Sequence, residues 1–218
     1  MNKKKAVIFD VDNTLIDRRK SFRDFCEYFI GRYEEQYPFE MTKEELVRYM
    51  VEADKDGYGG LVNFIIQLKQ VWDLPHSVDG FIKERNEIFG SLTVPYEETH
   101  EVLEALRGKY KLGIITNGYS TVQREKIRMA GVTDYFQDII VSGEEAFEKP
   151  DERIFLLSCK RLEVEPEEAV YVGDYYPNDV AGALKAKIMP LWISTDPEEH
   201  QEYDGIRVSR LREIMNHL

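Results

Sequence analysis

The sequence is short of cysteine, of basic charge and of long apolar runs, and each shortage removes a class of protein. Cys26 and Cys159 are its two cysteines in 218 residues, far apart and without the spacing of metal ligands. They are expected to be reduced thiols, forming neither a disulfide nor a metal site. Lys and Arg number 29 against 41 Asp and Glu, a formal net charge of −12. So acidic a chain lacks the basic face that nucleic-acid phosphates need. An anionic membrane surface is no better a partner. Any phosphate bound here needs a local cation, either a metal ion or a placed Lys. The longest mixed apolar stretch, Leu61 to Leu68, is broken by Asn63 and Gln67 and is too short to span a membrane. The opening Met-Asn-Lys-Lys-Lys resembles the charged start of a signal peptide. Only Ala6 to Phe9 follow before Asp10, too few for an apolar signal core, so the expected location is cytoplasmic.

What is present is a folding chain. Hydrophobic residues make up 43% and aromatics 12%, which fits a globular protein. The length suits one large domain, or one domain carrying an insertion. Ala6 to Phe9, bounded by charge, reads as a buried strand. From Arg18 to Phe89 helical spacing takes over. Phe22, Phe25, Phe29 and Tyr33 share one helical face, and Thr42 with Glu45 forms a capping box ahead of Leu46. Leu61 to Leu68 and Phe81 to Phe89 predict two more helices, after the loop Asp56 to Gly60.

Beyond Pro95 strands and helices alternate. Helices are predicted over 97–108, from Ser120 to Gly131, after Pro150, over 177–186 and over 209–217. The second of these is expected to open on a capping box of Ser120 with Gln123. Strands are predicted over 111–116, 139–141, 169–173 and 188–193. That alternation means α/β architecture, a doubly wound, Rossmann-like parallel sheet covered on both faces. Its expected division is an α/β core of residues 1–16 and 95–218, with a helical cap domain, 17–94, inserted after the first strand.

Ligands of such sheets bind outside the carboxyl ends of the strands. Four strand ends here carry chemistry: Asp10, Asp12 and Thr14; Thr116, Asn117 and Gly118; Lys149 and Pro150; Gly173 and Asp174 followed by Asp179. Clustered carboxylates cannot all ionise without a cation. Oxygen ligands at this density suit Mg²⁺, with Asp10, Asp174 and the backbone carbonyl of Asp12 as candidate ligands. A strand-tip carboxylate can attack phosphorus, and a second two residues on can serve as general acid and then base. Thr116, the Asn117 backbone N–H and Lys149 are placed to hold phosphoryl oxygens, helped by the helix opening at Ser120.

These stretches, Phe9 to Leu15, Ile114 to Gly118, Lys149 with Pro150, and Gly173 with Asp174 and Asp179, resemble in order the four signature motifs of the haloacid dehalogenase-like hydrolase superfamily. The resemblance covers nearly the whole chain, helical cap included. It implies Asp10 as nucleophile forming an aspartyl-phosphate and Asp12 as acid/base. It implies Thr116 and Lys149 as the phosphate-holding pair, Asp174 as a Mg²⁺ ligand, and Asp179 as support for the metal or the Lys. Gly113 to Ser120 is similar to the branch that contains pyrimidine 5′-nucleotidases and N-acylneuraminate-9-phosphatase. One departure is Ala186-Lys187, where many relatives end a helix with Ala-Gly. Lys187 must then adopt a left-handed backbone, or the helix must end differently.

Within that superfamily the dehalogenases and phosphonatases lack an acidic residue at the position of Asp12. Protonating a leaving alkoxide helps phosphoryl transfer and gains nothing in attack on carbon. The resemblance therefore implies a Mg²⁺-dependent phosphatase acting on a small phosphate monoester, a nucleotide or a sugar phosphate. A phosphomutase of the same fold is the next reading, ahead of a 2-haloacid dehalogenase or a non-catalytic binding protein. In the cap, Arg18, Arg19, Lys20 and Arg23 could meet an anionic substrate but read first as a solvated helix start. Tyr58 reads as an ordinary loop tyrosine, Trp72 and Trp192 as packing residues. His76, His100, His200 and His217 show no ligand spacing and are expected at the surface.

Overall fold

Short apolar runs become strands in the computed structural model, which describes residues 3–196 and 198–218. The chain forms two compact units. One runs up to Asp17 and resumes from Pro95 to Leu218; the other is Arg18–Val94.

The first unit is built on a six-stranded sheet of β1 (Ala6–Phe9), β2 (Lys111–Thr116), β3 (Asp138–Val141), β4 (Ala169–Gly173), β5 (Met189–Ile193) and β6 (Ile206–Val208). The spatial order is β3-β2-β1-β4-β5-β6, and every pairing is parallel. Successive side chains of a strand point to opposite faces. Val7, Phe9, Leu112, Ile114, Val170 and Val172 therefore join one core, with Leu103, Leu106 and Ile127. Ala6, Ile8, Ile115 and Tyr171 join the other, with Ile154, Phe155 and Cys159. Burial on both faces is why these strands read as continuous apolar runs. β1 lies centrally, and the strand order turns back on itself between β1 and β4, which is where ligands of open α/β sheets bind.

In the second unit, α1 (Arg18–Tyr33), α2 (Lys43–Asp54), α3 (Leu61–Val71) and α4 (Val78–Ile88) enclose an aromatic core. Phe22, Phe25, Phe29, Phe64, Phe81 and Phe89 are all buried, many meeting edge to face. The predicted capping box is present: Glu45 N–H donates to Thr42 Oγ1 at 3.3 Å and Thr42 N–H to the Glu45 carboxylate at 2.8 Å. The basic start of α1 pairs within its own unit. Arg18 grips Asp54 with two bonds of 2.7 and 3.1 Å, both residues buried. Arg19 pairs with Asp56, Lys20 with Asp24 and Arg23 with Glu44.

The remaining helices are α5 (Thr99–Leu106), α6 (Ser120–Met129), α7 (Glu152–Arg161) and α8 (Ala181–Lys185). Several expectations need correction. The helix predicted over 177–186 opens instead as a π-helical turn, Tyr176–Val180, before α8. The closing helix is a 3-10 segment, Leu211–Asn216, preceded by the unforeseen β6. Lys187 does take the left-handed conformation, φ 60°, and the Ile188 N–H closes α8 on the Ala183 carbonyl at 2.9 Å.

One histidine is not a surface residue. His76 lies against Phe29 and Tyr33 with its Nε2 3.1 Å from Glu84, while His200 stacks on Tyr176 at 4.0 Å with its side chain still a third exposed. Both cysteines are free and buried, and burial pushes the Cys159 thiol up to about 11. Among the described residues, no helix is long and apolar enough to cross a membrane.

Candidate active site

β1 delivers Asp10 to the carboxyl edge of the sheet, where its N–H donates to the Val172 carbonyl of β4 at 2.8 Å. The chain then turns at once. The N–H groups of Leu15 and Ile16 both reach back to the Val11 carbonyl, at 2.9 and 3.1 Å. The turn needs one left-handed residue, and Asn13 supplies it at φ 56°. Asn adopts that conformation more readily than most residues. The Thr14 hydroxyl in this turn is buried with no hydrogen-bond partner among the described residues.

β4 delivers Asp174 beside it, and the π-helical turn that follows brings Asp179 back underneath. Gly173 makes that return possible, because a Cβ there would sit 2.6 Å from the Asp179 Cβ. Carboxylate oxygens of Asp10, Asp174 and Asp179 lie within 4.8 Å of one another. Lys149 enters the same cluster from the loop after β3. Its ammonium donates to Asp10 at 2.7 Å, to Asp179 at 2.7 Å and to the Tyr171 hydroxyl at 3.0 Å, which uses all three N–H bonds. Asp179 also accepts from the Tyr175 N–H at 3.0 Å.

Burial dominates the electrostatics here. It pushes the Asp10 carboxyl up to about 7, against the opposing pull of Lys149, with Asp179 adding to the rise. Burial, then Asp179 and Asp10, holds Asp174 well above the usual carboxylate range. Burial alone would lower Lys149, but Asp10 and Asp179 together hold it above its ordinary value. Three carboxyl groups beside one ammonium cannot all ionise in so dry a place without a further cation. That donor set fits a hard divalent cation, which takes oxygen ligands and repays part of their desolvation.

The remaining predicted residues assemble beside this cluster. Thr116 ends β2, 1% exposed. Asn117 staples the strand-end loop to Lys149: its side-chain amide donates to the Lys149 carbonyl at 2.9 Å and accepts from the Lys149 N–H at 3.0 Å. Gly118 takes φ 135°, and its N–H donates to Ser142 Oγ at 3.1 Å. Asp12 turns toward α6. Both its oxygens accept from the Lys126 ammonium at 2.7 Å, and one also from Gln123 Nε2 at 3.1 Å.

Here the sequence reading needs its main correction. Ser120 and Gln123 form no capping box. Tyr119 precedes the helix without a side-chain cap, and Ser120 Oγ bonds instead to Glu144. Gln123 spends its amide on Thr116 Oγ1 and on Asp12. Gln123, Lys126 and Tyr171 were the site neighbours missed. For the α6 pair a signal existed, since a Gln and a Lys stand on the same face as Val122 and Ile127, the face that packs inward.

Comparison with known proteins gives the family and the fold. A family model described as haloacid dehalogenase-like hydrolase matches residues 7–193. The glyceraldehyde 3-phosphate phosphatase of Methanopyrus kandleri is 30% identical over 97% of this chain and 96% of the relative. Human (Homo sapiens) N-acylneuraminate-9-phosphatase is 28% identical over 89% of this chain and 84% of the relative. The crystal structure of the magnesium-bound hydrolase YfnB from Bacillus subtilis shares the fold, with a TM-score of 0.80 at 19% identity, covering 100% of this chain and 99% of that one. The chain belongs to the haloacid dehalogenase-like hydrolase family. The two relatives named are phosphatases, and the chain is an enzyme of that kind.

Proposed function

We propose that this enzyme hydrolyses a small phosphate monoester by two successive transfers through Asp10. In the first, an Asp10 oxygen bonds to phosphorus, the ester P–O bond breaks, and Asp12 gives its proton to the departing alkoxide. In the second, Asp12 takes a proton from water, and the water oxygen attacks phosphorus. The Asp10–phosphorus link breaks, phosphate leaves, and Asp12 is again protonated. The observation that carries this reading is the buried cluster at the β1 and β4 tips: a carboxylate with a paired ammonium at 2.7 Å and two further carboxylates.

Asp10, Asp174 and the backbone carbonyl of Asp12 are the residues that would hold Mg²⁺, with Asp179 fixing Lys149. The ion, when bound, supplies positive charge to the phosphoryl oxygens. Thr116 and Asn117 line the same strand end and Lys149 keeps Asp10 in place. The substrate we favour is a sugar phosphate, since the relatives at 30% and 28% identity are named for glyceraldehyde 3-phosphate and N-acylneuraminate-9-phosphate chemistry. A nucleotide remains the alternative inside the same reaction class.

A panel of sugar phosphates, nucleoside monophosphates and an aryl phosphate, assayed for phosphate release with and without Mg²⁺, tests the reading. Release that requires Mg²⁺ and ranks a sugar phosphate first is expected. Release from no ester refutes it. The metal assignment has a test independent of turnover. Mg²⁺ at about 100 times its dissociation constant should stabilise the protein by about 2.7 kcal/mol. That is a rise of roughly 5–11 °C in melting temperature for a chain of this size. Asp174→Asn should erase most of it, and an equal rise in that variant would remove Asp174 from the ligand set.

A further inference from the structure

Asp12 has to present one oxygen to a leaving group and later to a water, so its carboxylate needs a fixed orientation. Its two side-chain torsions leave the carboxylate several positions, and an error of about 1 Å in a proton-transfer partner can cost about 100-fold in rate. The structure shows what removes that freedom. Lys126 and Gln123 lie one turn apart on the inner face of α6, 3% and 2% exposed. The ammonium of Lys126 spans both Asp12 oxygens at 2.7 Å, a charge-assisted pair in a partly buried place. Gln123 reaches the same carboxylate at 3.1 Å and also bonds the Thr116 hydroxyl. One helix face thus ties the candidate acid/base to the end of β2. A buried Lys costs stability unless it is paired. Its placement among Val122 and Ile127 is unexplained by packing, since an apolar residue would fill that face without the cost.

We propose that Lys126 and Gln123 are positioning residues that hold the Asp12 carboxylate in place for proton exchange with the leaving oxygen. The inference rests on the phosphatase reading above. It carries a readout that a merely structural role would not move, the dependence of the rate on the leaving group. The ratio kcat/KM reports events up to the departure of the first product. An alkoxide needs a proton to leave; 2,4-dinitrophenolate does not.

Lys126→Met and Gln123→Met are assayed beside the wild type on glyceraldehyde 3-phosphate, or on whichever alkyl phosphate of the panel the wild type hydrolyses fastest, and on 2,4-dinitrophenyl phosphate. Folding is checked by far-UV circular dichroism. General acid catalysis contributes roughly 100-fold or more. We expect kcat/KM of Lys126→Met to fall about 30-fold or more on the alkyl ester and under about 3-fold on the aryl ester. Gln123→Met should show the same selectivity with a smaller loss, and it alone decides the matter if Lys126→Met does not fold. Lys126→Arg, which keeps the charge, should recover part of the alkyl rate. Equal losses on both esters in a folded variant, or no loss on either, overturn the inference and leave the phosphatase reading standing. Wild-type release from the aryl ester alone also overturns it. Release by the wild type from no ester of the panel overturns the phosphatase reading, and the inference with it.

Discussion

Asp10→Asn should lower phosphate release by at least about 1000-fold while the protein stays folded. The amide cannot form the bond to phosphorus that the two-step reaction requires, so the loss falls on kcat. The fold should tolerate the change for a reason visible in the site. Burial has already pushed the Asp10 carboxyl from its ordinary 3.8 up to about 7, so its ionised form is much less favoured than in water before any cation arrives. An amide of the same shape still offers Lys149 an acceptor oxygen. A raised carboxyl pKa has a definite sign in the stability of the metal-free protein. The folded state keeps a proton that the unfolded chain releases near pH 4, so this group's contribution is present below that pH and lost as pH rises toward about 7. Thermal melts of metal-free wild type and Asp10→Asn across that window should converge at low pH, with the variant the more stable near neutrality. Turnover comparable to wild type would remove Asp10 as the nucleophile. A variant that melts far below wild type at pH 7 would refute the account of its burial.

Lys149→Met should be the more damaging change to the fold. Lys149 is 4% exposed and is bonded at once to Asp10, Asp179 and Tyr171. Removing one partner from a buried ion pair leaves the other charge uncompensated, a cost of about 3–5 kcal/mol. For a chain of this length that is a fall of roughly 6–20 °C in melting temperature. The loss should depend on pH. Without the ammonium that holds it down, Asp10 rises further above its ordinary value. The deficit should therefore be small below about pH 4 and grow as pH rises toward neutrality. Lys149→Met with Asp179→Asn, which removes one of the stranded carboxylates, should recover part of it. A loss under about 1 kcal/mol at pH 7, or one flat from pH 4 to 7, would mean that the ammonium does not stabilise the cluster.

Much of this arrangement was legible from residue order. Continuous apolar runs each ending in Asp, Thr or Gly mark parallel strands whose tips face one edge, so Asp10, Thr116 and Asp174 had to share it. Asp179 was legible as a motif position, but its route was not. The segment expected to be helical from Pro177 begins as a π-helical turn, and that wider turn sets Asp179 under Gly173. The Ser120–Gln123 spacing misled because Gln serves equally as a cap and as a hydrogen-bond donor to neighbours across the sheet, and local sequence carries no trace of Asp12 lying opposite. His76 misled for a similar reason: its burial depends on Phe29 and Tyr33, which are more than forty positions away in the chain. Contacts between distant positions decide such cases, and periodicity reports only near neighbours.

The central place of β1 also orders events at the ribosome. Phe9 pairs with Ile114 on one side and Val172 on the other. β1, synthesised ahead of the other five strands of this sheet, is thus among the last to be enclosed. At about 5–20 residues per second, roughly 5–20 s pass before β2 exists to receive it, and several more before β4 does. Throughout that interval the nascent chain carries the run Ala6 to Phe9 with no sheet to join, while residues 18–94 have their own aromatic core close at hand in sequence. The three lysines at positions 3 to 5 and Asp10 bracket that run with charge on both sides, the kind of flank that discourages a waiting apolar strand from pairing with another chain.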